Sequence, residues 1–394
     1  MTAHPTPQHA RRRGASLVLA LLLLASMVAL SSGRASAVTT PQSTLTADWL
    51  ASKVAADGSV AVPGETFGPT TQSMYVALGL VAAGQHRDAL ARTMTWIGGH
   101  VNDWVVNDGS GSTVAPVGTD LAGRLGLLIM LVHAVGSDPR SFGSPSTDLV
   151  ARLQATSGAG GVAGVFGWPD PYSAVQDQSF AILGLVAAGA TVPTAATQWL
   201  VDQQCPAGGA AGTAGGWMSL RTSTGNVLDP CTSPDPINYI GADTNSTAMA
   251  VQALLATRTS TPIAPALTFL RGAQRATAPA AGGFPWFGGG DADPNSTALV
   301  VQAIVAAGQD PSGAAWTAGG GTPFGVLPSW QLTGADAGAL DAPWQVGVPS
   351  LLSTYQGLWG LTKVPFPFPV LAPWPPVTTT TAAPESPAVP NYTG

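Results

Sequence analysis

Charge is scarce in this chain: Asp, Glu, Lys and Arg together make up 9% of its 394 residues. Lysine is nearly missing, with only Lys53 and Lys363 present. With no basic cluster, the chain has little to attract a phosphate backbone or an anionic membrane surface, which argues against nucleic acid as a partner. Cysteine is limited to Cys205 and Cys231. These two lack CxxC spacing and histidine neighbours, so a disulfide closing one loop is the expectation, contributing roughly 3 kcal/mol. Histidine past the first forty residues is confined to His86, His100 and His133, so no metal site is expected where three converging ligands would be needed.

What the chain has in abundance is apolar and turn-forming residues, 45% hydrophobic with 48 Gly and 34 Pro. Six apolar stretches end at Gly84, Gly136, Gly189, Arg258, Gly308 and Gly360, at intervals of about 50 residues with one interval longer. Such a period marks one supersecondary unit copied several times. The clearest copies are Asp243-Thr244-Asn245-Ser246-Thr247-Ala248 and Asp293-Pro294-Asn295-Ser296-Thr297-Ala298, each leading into an apolar helix. Looser copies start near Gln72 and at Gln176-Asp177-Gln178, and two more are placed by position at Asp120 and Pro349.

Almost every residue in these stretches is apolar or small all the way round, with the mid-helix Gln252 and Gln302 as exceptions, so they predict inner helices covered on every side. Shorter segments with a single apolar stripe predict outer helices over Leu45 to Val54, Ala89 to Ile97, Leu149 to Leu153, Ala195 to Gln203 and Ala264 to Gln274. A sixth is only weakly marked around Pro328 to Leu332. The first inner helix is as apolar as the middle ones and offers no polar capping face. The fold expected is therefore all-α, an α6/α6 toroid closed into a double ring over residues 38–372.

At the N-terminus, Arg11-Arg12-Arg13, an apolar run from Ala15 to Leu30 and the small residues Ala35-Ser36-Ala37 read as a signal peptide over residues 1–37. An uncleaved anchor is the competing reading. Cleavage removes four arginines, leaving 11 basic against 21 acidic side chains, or 11 − 21 = −10. Residues 373–394, rich in Thr and Pro, are expected to be a disordered tail. The protein is thus expected to be secreted, with cell-wall association as an extension of that reading and no stable membrane insertion once the signal is gone.

Trp199-Leu200, Gln204 and Gly215-Gly216-Trp217 form one aromatic-Leu, Gln, Gly-aromatic punctuation. Phe269-Leu270, Gln274 and Gly282-Gly283-Phe284-Pro285-Trp286 form a second. Both resemble the QW-type repeat of squalene and hopene cyclases. The chain thus resembles the prenyltransferase and squalene-cyclase repeat superfamily over about residues 43 to 365. The resemblance implies a toroid of six inner and six outer helices. Its cyclase branch uses a D-x-D-D-T-A acid motif, and here Asn245-Ser246 and Asn295-Ser296 replace the central acids, so the resemblance argues against cyclisation. The zinc ligands of the protein-prenylating branch and the Cys-Gly-Glu-Gln of the thioester branch are also missing. A third branch, the cobalamin carriers, binds its corrin through polar side chains at inner-helix starts.

That last resemblance implies a secreted, non-catalytic protein capturing a polar small molecule. Its ligand site would comprise Gln72, Gln176, Asp177, Asp243, Asn245, Asp293 and Asn295, with Trp217, Phe284 and Trp286 near the ring mouth. No cofactor is required, a corrinoid is the candidate ligand, and a capping protein or a membrane transporter is the candidate partner. The alternative is a terpene-cyclase-like, prenyltransferase-like or glycan-active enzyme with Asp243, Asp291 or Asp293 as its acid. Each Asn-Ser-Thr start also suits a helix N-cap. On that view Asp243, Asp293, Gln72 and Gln176 exceed what capping needs and are the stronger ligand candidates.

Overall fold

The computed structural model describes residues 37–110, 113–224 and 227–371. The expected signal peptide and tail lie outside the described residues. Thirteen α-helices and one two-stranded hairpin are present among those described. The first repeat pairs outer α1 (Pro41–Ser52) with inner α2 (Pro69–Ala83), and the second pairs outer α3 (Arg87–Gly99), followed by the short α4 (Val101–Val105), with inner α5 (Ala122–Ala134). Outer α6 (Leu149–Ala155) and inner α7 (Ala174–Ala187) form the third repeat. The fourth joins outer α8 (Thr194–Asp202) to inner α9 (Thr244–Ala256) through a long loop carrying β1 (Ser223–Thr224) and β2 (Val227–Leu228). Outer α10 (Ile263–Ala273) with inner α11 (Pro294–Ala306), then outer α12 (Pro323–Val326) with inner α13 (Leu351–Thr362), complete the count.

The inner helices pack in the order α2, α5, α7, α9, α11, α13 and back to α2, so the ring is closed. At the closure Tyr75 stacks on Tyr355 with ring centroids 4.4 Å apart. The Trp359 indole N–H there donates to Leu78 O at 3.2 Å. The protein is an α/α toroid, as the repeat pattern predicts.

The glutamines of the punctuations act as staples between repeats. Gln204 Nε2 donates to Gly215 O and to Pro262 O, each at 2.9 Å, and so ties its own loop to the start of the next outer helix. Gln274 Nε2 does the same with Gly282 O and Trp316 O. Gln331, not anticipated from the sequence, reaches Gln42 O and the Thr46 hydroxyl at 2.9 Å and so closes the outer ring.

Within the loops, a polar side chain in the first turns of the inner helix accepts a backbone N–H from the strand-like segment before it. Thr247 holds Trp217 N at 3.0 Å, Thr297 holds Phe284 N at 2.9 Å and Thr354 holds Leu340 N at 2.9 Å. Ser73 and Gln178 do the same for Val60 N and Phe166 N. A buried backbone donor must be satisfied, and this one bond recurs in five of the repeats.

Gly84, Gly136, Gly189 and Gly308 take left-handed backbone after their helices, as does Arg258 at φ 62. Gly360 does not. Helix α13 runs past it to Thr362, and Lys363 at φ 54 makes the left-handed turn instead. Gly360 is a packing glycine, since a Cβ there would lie 2.9 Å from the Ala298 Cα. The closest inner contact is between α5 and α7, where a Cβ on Gly126 would meet Phe180 O at 2.2 Å, so only glycine lets the two helices approach.

After α13 the chain turns back onto the ring. Phe366 and Phe368 are buried, and Phe366 packs edge-on against Trp359 and Phe180. The two polar exceptions of the inner helices hold this segment. Gln252 Oε1 accepts the Phe366 N–H at 2.9 Å, Gln302 Nε2 donates to Val364 O at 2.6 Å, and Leu371 N donates to Ala134 O, the carbonyl of the last residue of α5. The segment thus covers the ring at the end where the inner helices finish.

Candidate functional site

The opposite end, where inner helices begin, is open. A cavity of about 590 Å³ lies there, drawn from four consecutive repeats. Gln176 of α7, Asn245 of α9, Asn295 of α11 and Gln356 of α13 bring amides to it, while Asp291, Asp293 and Ser296 bring acid and hydroxyl groups. Trp286, Phe287, Tyr239 and Trp344 supply aromatic walls. No Lys, Arg or His is among the lining residues.

The helix starts are set by Asp243 and Asp293 themselves. Each is the N-cap of its helix, with extended backbone and a carboxylate Oδ1 that accepts from the Ser246 or Ser296 N–H at 2.7 Å. This corrects the assignment of the caps to the Asn-Ser-Thr triplets. The cap is the residue whose side chain reaches back over the first turn, which places the Asn two positions inside the helix. Asn295 is thereby free to turn toward α13. Its Nδ2 donates to Gln356 Oε1 at 2.8 Å and its Oδ1 accepts from the Ser353 hydroxyl at 3.0 Å. Asn245 lines the cavity with only a 3.5 Å approach of the Thr244 hydroxyl to its Oδ1.

The two caps diverge electrostatically. Asp293 lines the cavity, and burial pushes its carboxyl up to about 6, against the opposing pull of the Ser296 N–H and a 2.8 Å hydrogen bond from the Ser296 hydroxyl. Asp243 is fully buried behind the rim. Desolvation pushes it up to about 7, and its Oδ2 has no hydrogen-bond partner. Asp291 is exposed on the rim and ion-paired to Arg275 at 3.1 Å.

The structure gathers Gln176, Asn245, Asp291, Asp293, Asn295 and Trp286 around one cavity and puts the other predicted site residues elsewhere. Gln72 is buried with its amide spent on backbone, accepting from Val62 N at 2.6 Å and donating to Phe67 O, so it pins a loop instead of lining a rim. Asp177 belongs to a separate recess of about 200 Å³ with Arg124 and Asp170, where burial pushes it up to about 6 and the Ser173 hydroxyl donates to it at 2.6 Å. Trp217 and Phe284 are fully buried. The Trp217 indole donates to Leu200 O and so ties its loop to the outer helix of its own repeat, while Phe284 meets Trp316 edge-on across to the next repeat. Asp243, for the reason given, faces inward.

Gln356, Tyr239 and Trp344 line the site without having been anticipated. Gln356 carried a signal, since it is the one side-chain amide in α13. Tyr239 and Trp344 sit in loops whose placement no periodicity reports. Tyr239 comes from the long fourth loop, beyond the part that the Cys205–Cys231 disulfide closes. Asp235 orders the turn before Tyr239 by accepting from the Ile237 and Asn238 N–H groups.

No family model and no curated protein matches this chain. Solved structures do. A GH76A alpha-1,6-mannanase from Salegentibacter sp. HEL1_6 is similar at 9% identity and TM-score 0.53, over 82% of this chain and 97% of that one. An inactive variant of that mannanase in complex with alpha-1,6-mannotriose gives TM-score 0.51 over the same shares. A variant of the type II terpene cyclase MstE from Scytonema, in its apo form, is similar at 14% identity and TM-score 0.50, over 82% and 95%. At such identities the likeness is one of fold, and it sets the chain among the α/α toroids.

Proposed function

We propose that this chain is an exported glycan-active enzyme that hydrolyses a glycosidic bond at the mouth of its toroid, with Asp293 as general acid. The observation that carries this reading is the cavity itself, which joins four amides and two carboxylates to an aromatic wall. Amides and carboxylates hydrogen-bond sugar hydroxyls, and aromatic faces cover the apolar faces of sugar rings. Likeness in fold to a mannanase supports the same class. The disulfide between Cys205 and Cys231 supports export.

In this mechanism the Asp293 carboxyl, kept partly protonated by burial, gives its proton to the glycosidic oxygen as the bond from that oxygen to the anomeric carbon breaks. A water adds its oxygen to the anomeric carbon and passes a proton to the Asp291 carboxylate. Arg275 holds that carboxylate at the rim. Solvent exchange returns both groups to their starting protonation states.

Cyclisation of an isoprenoid fits less well. The far end of the ring is filled by Phe366 and Phe368, and the open end is lined by amides. Non-catalytic capture of a polar ligand, a corrinoid among them, is the second reading, favoured by Asn245 and Asn295 on one cavity wall. A capping protein or transporter would then receive the ligand.

The test is release of reducing ends from a panel of neutral polysaccharides by the purified protein and by Asp293→Asn. Turnover that the substitution abolishes supports hydrolysis. Tight binding without turnover in the unaltered protein sinks it and leaves the capture reading.

A further inference from the structure

We infer that the mouth takes an uncharged linear glycan chain and grips it on both sides of Asp293, between Tyr239 with Trp286 on one flank and Trp344 on the other. This rests on the glycan reading above and adds the length and charge of the ligand.

Ring order supplies the geometry. Helices α9, α11 and α13 are consecutive neighbours around the inner ring. Tyr239 stands in the loop that enters α9, Asp293 caps α11, and Trp344 stands in the loop that enters α13. An aromatic residue from each flanking repeat therefore brackets the repeat that carries the acid, and all three residues line one cavity.

The two flanking rings are unusually open for large aromatics, with Tyr239 64% and Trp344 63% exposed. Tyr239 is held in left-handed backbone at φ 55, a conformation a bulky side chain rarely adopts. Its ring lies 5.9 Å from Trp286, and Trp286 lies 5.0 Å from Phe287, so one flank is a continuous aromatic face. A single sugar occupies one such face. A chain is needed to occupy both and to put an internal bond at Asp293.

Charge narrows the class further. The lining holds Asp291 and Asp293 and no cation, and the Arg275 guanidinium is already paired with Asp291 and donates to Gly290 O. A chain of uronic or sulfated sugars would bring anions to carboxylates with no compensating partner. Neutral chains meet no such penalty.

The experiment is titration of the protein, and of its Asp293→Asn form to prevent turnover, with neutral linear oligosaccharides of one to six hexose units, followed by tryptophan fluorescence. An acidic galacturonate series of equal lengths runs in parallel. Affinity is expected to rise at least tenfold from the monosaccharide to the longest neutral chain. Trp344→Ala and Tyr239→Ala should each remove most of that rise, and Tyr239→Phe should restore it. Affinity independent of length, equal binding of the acidic series, or unchanged length dependence in both alanine variants overturns the clamp. Length-dependent binding without turnover in the unaltered protein would retain the clamp and reject hydrolysis. Turnover with no length dependence would do the reverse.

Discussion

Repeats four and five carry almost the same hexapeptide, yet they do different things with it. In both, an aspartate caps the inner helix and a threonine four residues on fastens the preceding loop. The difference lies in what covers the aspartate. Asp243 is sealed at zero exposure with one oxygen unpartnered, whereas Asp293 opens onto the cavity with both oxygens engaged by Ser296. A motif copied within one chain thus seals its aspartate in one place and presents it to a cavity in the next, and the copies differ both in residual exposure and in the partner of the second carboxylate oxygen.

The contrast breaks most visibly in catalysis. Asp293→Asn is expected to lower kcat by about a hundredfold to ten-thousandfold, the usual range for a lost general acid, while Asp243→Asn leaves turnover near that of the unaltered protein. Equal losses from both substitutions would show that the copies are not specialised. The basic limb of the unaltered enzyme's pH profile should also fall above about pH 6, as Asp293 gives up its proton.

Stability separates the copies in the next degree. The unfolded carboxyl of Asp243 titrates near 3.8 and the folded one near 7, so the folded chain retains a proton that the unfolded chain has already released between those values. The stabilisation is complete below about pH 4 and is lost as pH rises through about 7. Asp243→Asn should flatten much of that decline, an effect of up to a few kcal/mol at about 1.4 kcal/mol per pH unit. Thermal unfolding at acid and neutral pH measures it, and an unchanged slope in the variant would refute it.

Where the copies act alike, substitution should cost alike. Thr247→Val and Thr297→Val each strand a buried backbone N–H, that of Trp217 or Phe284, and should each cost about 1–3 kcal/mol in urea unfolding. Clearly unequal costs would mean that the shared bond is not shared in energy. The smallest effect concerns the serines. Ser296→Ala removes a hydrogen bond that favours the ionised Asp293, so the basic limb of the pH profile should move upward. Ser246→Ala acts beside Asp243 and not beside the cavity acid, so it should leave that profile in place.

The toroid was legible because its period is written in helix-terminating residues and in fully apolar stretches, signals that depend on local geometry alone. Five outer helices were found within a few residues of their ends, whereas the sixth, expected around Pro328 to Leu332, lies earlier at Pro323–Val326 and continues as a 3-10 turn over Leu327–Trp330. The site was half legible. Asn245, Asp291, Asp293, Asn295 and Gln176 belong to the repeat and inherit its register, so the sequence places them at the mouth. Gln72 has the same register but meets a loop whose carbonyl and N–H claim its amide first. Tyr239 and Trp344 belong to loops, whose paths are set by tertiary contacts, and no spacing rule reaches them. Gln252 and Gln302 were conspicuous in the sequence, but their partners lie more than sixty residues away in the segment that returns after α13.

The returning segment floors the ring, with Phe366 and Phe368 buried and its backbone held by Gln252, Gln302 and the Ala134 carbonyl. On the hydrolytic reading, a product formed at the mouth would leave past the same rings that admitted its parent, so release and entry would share that mouth.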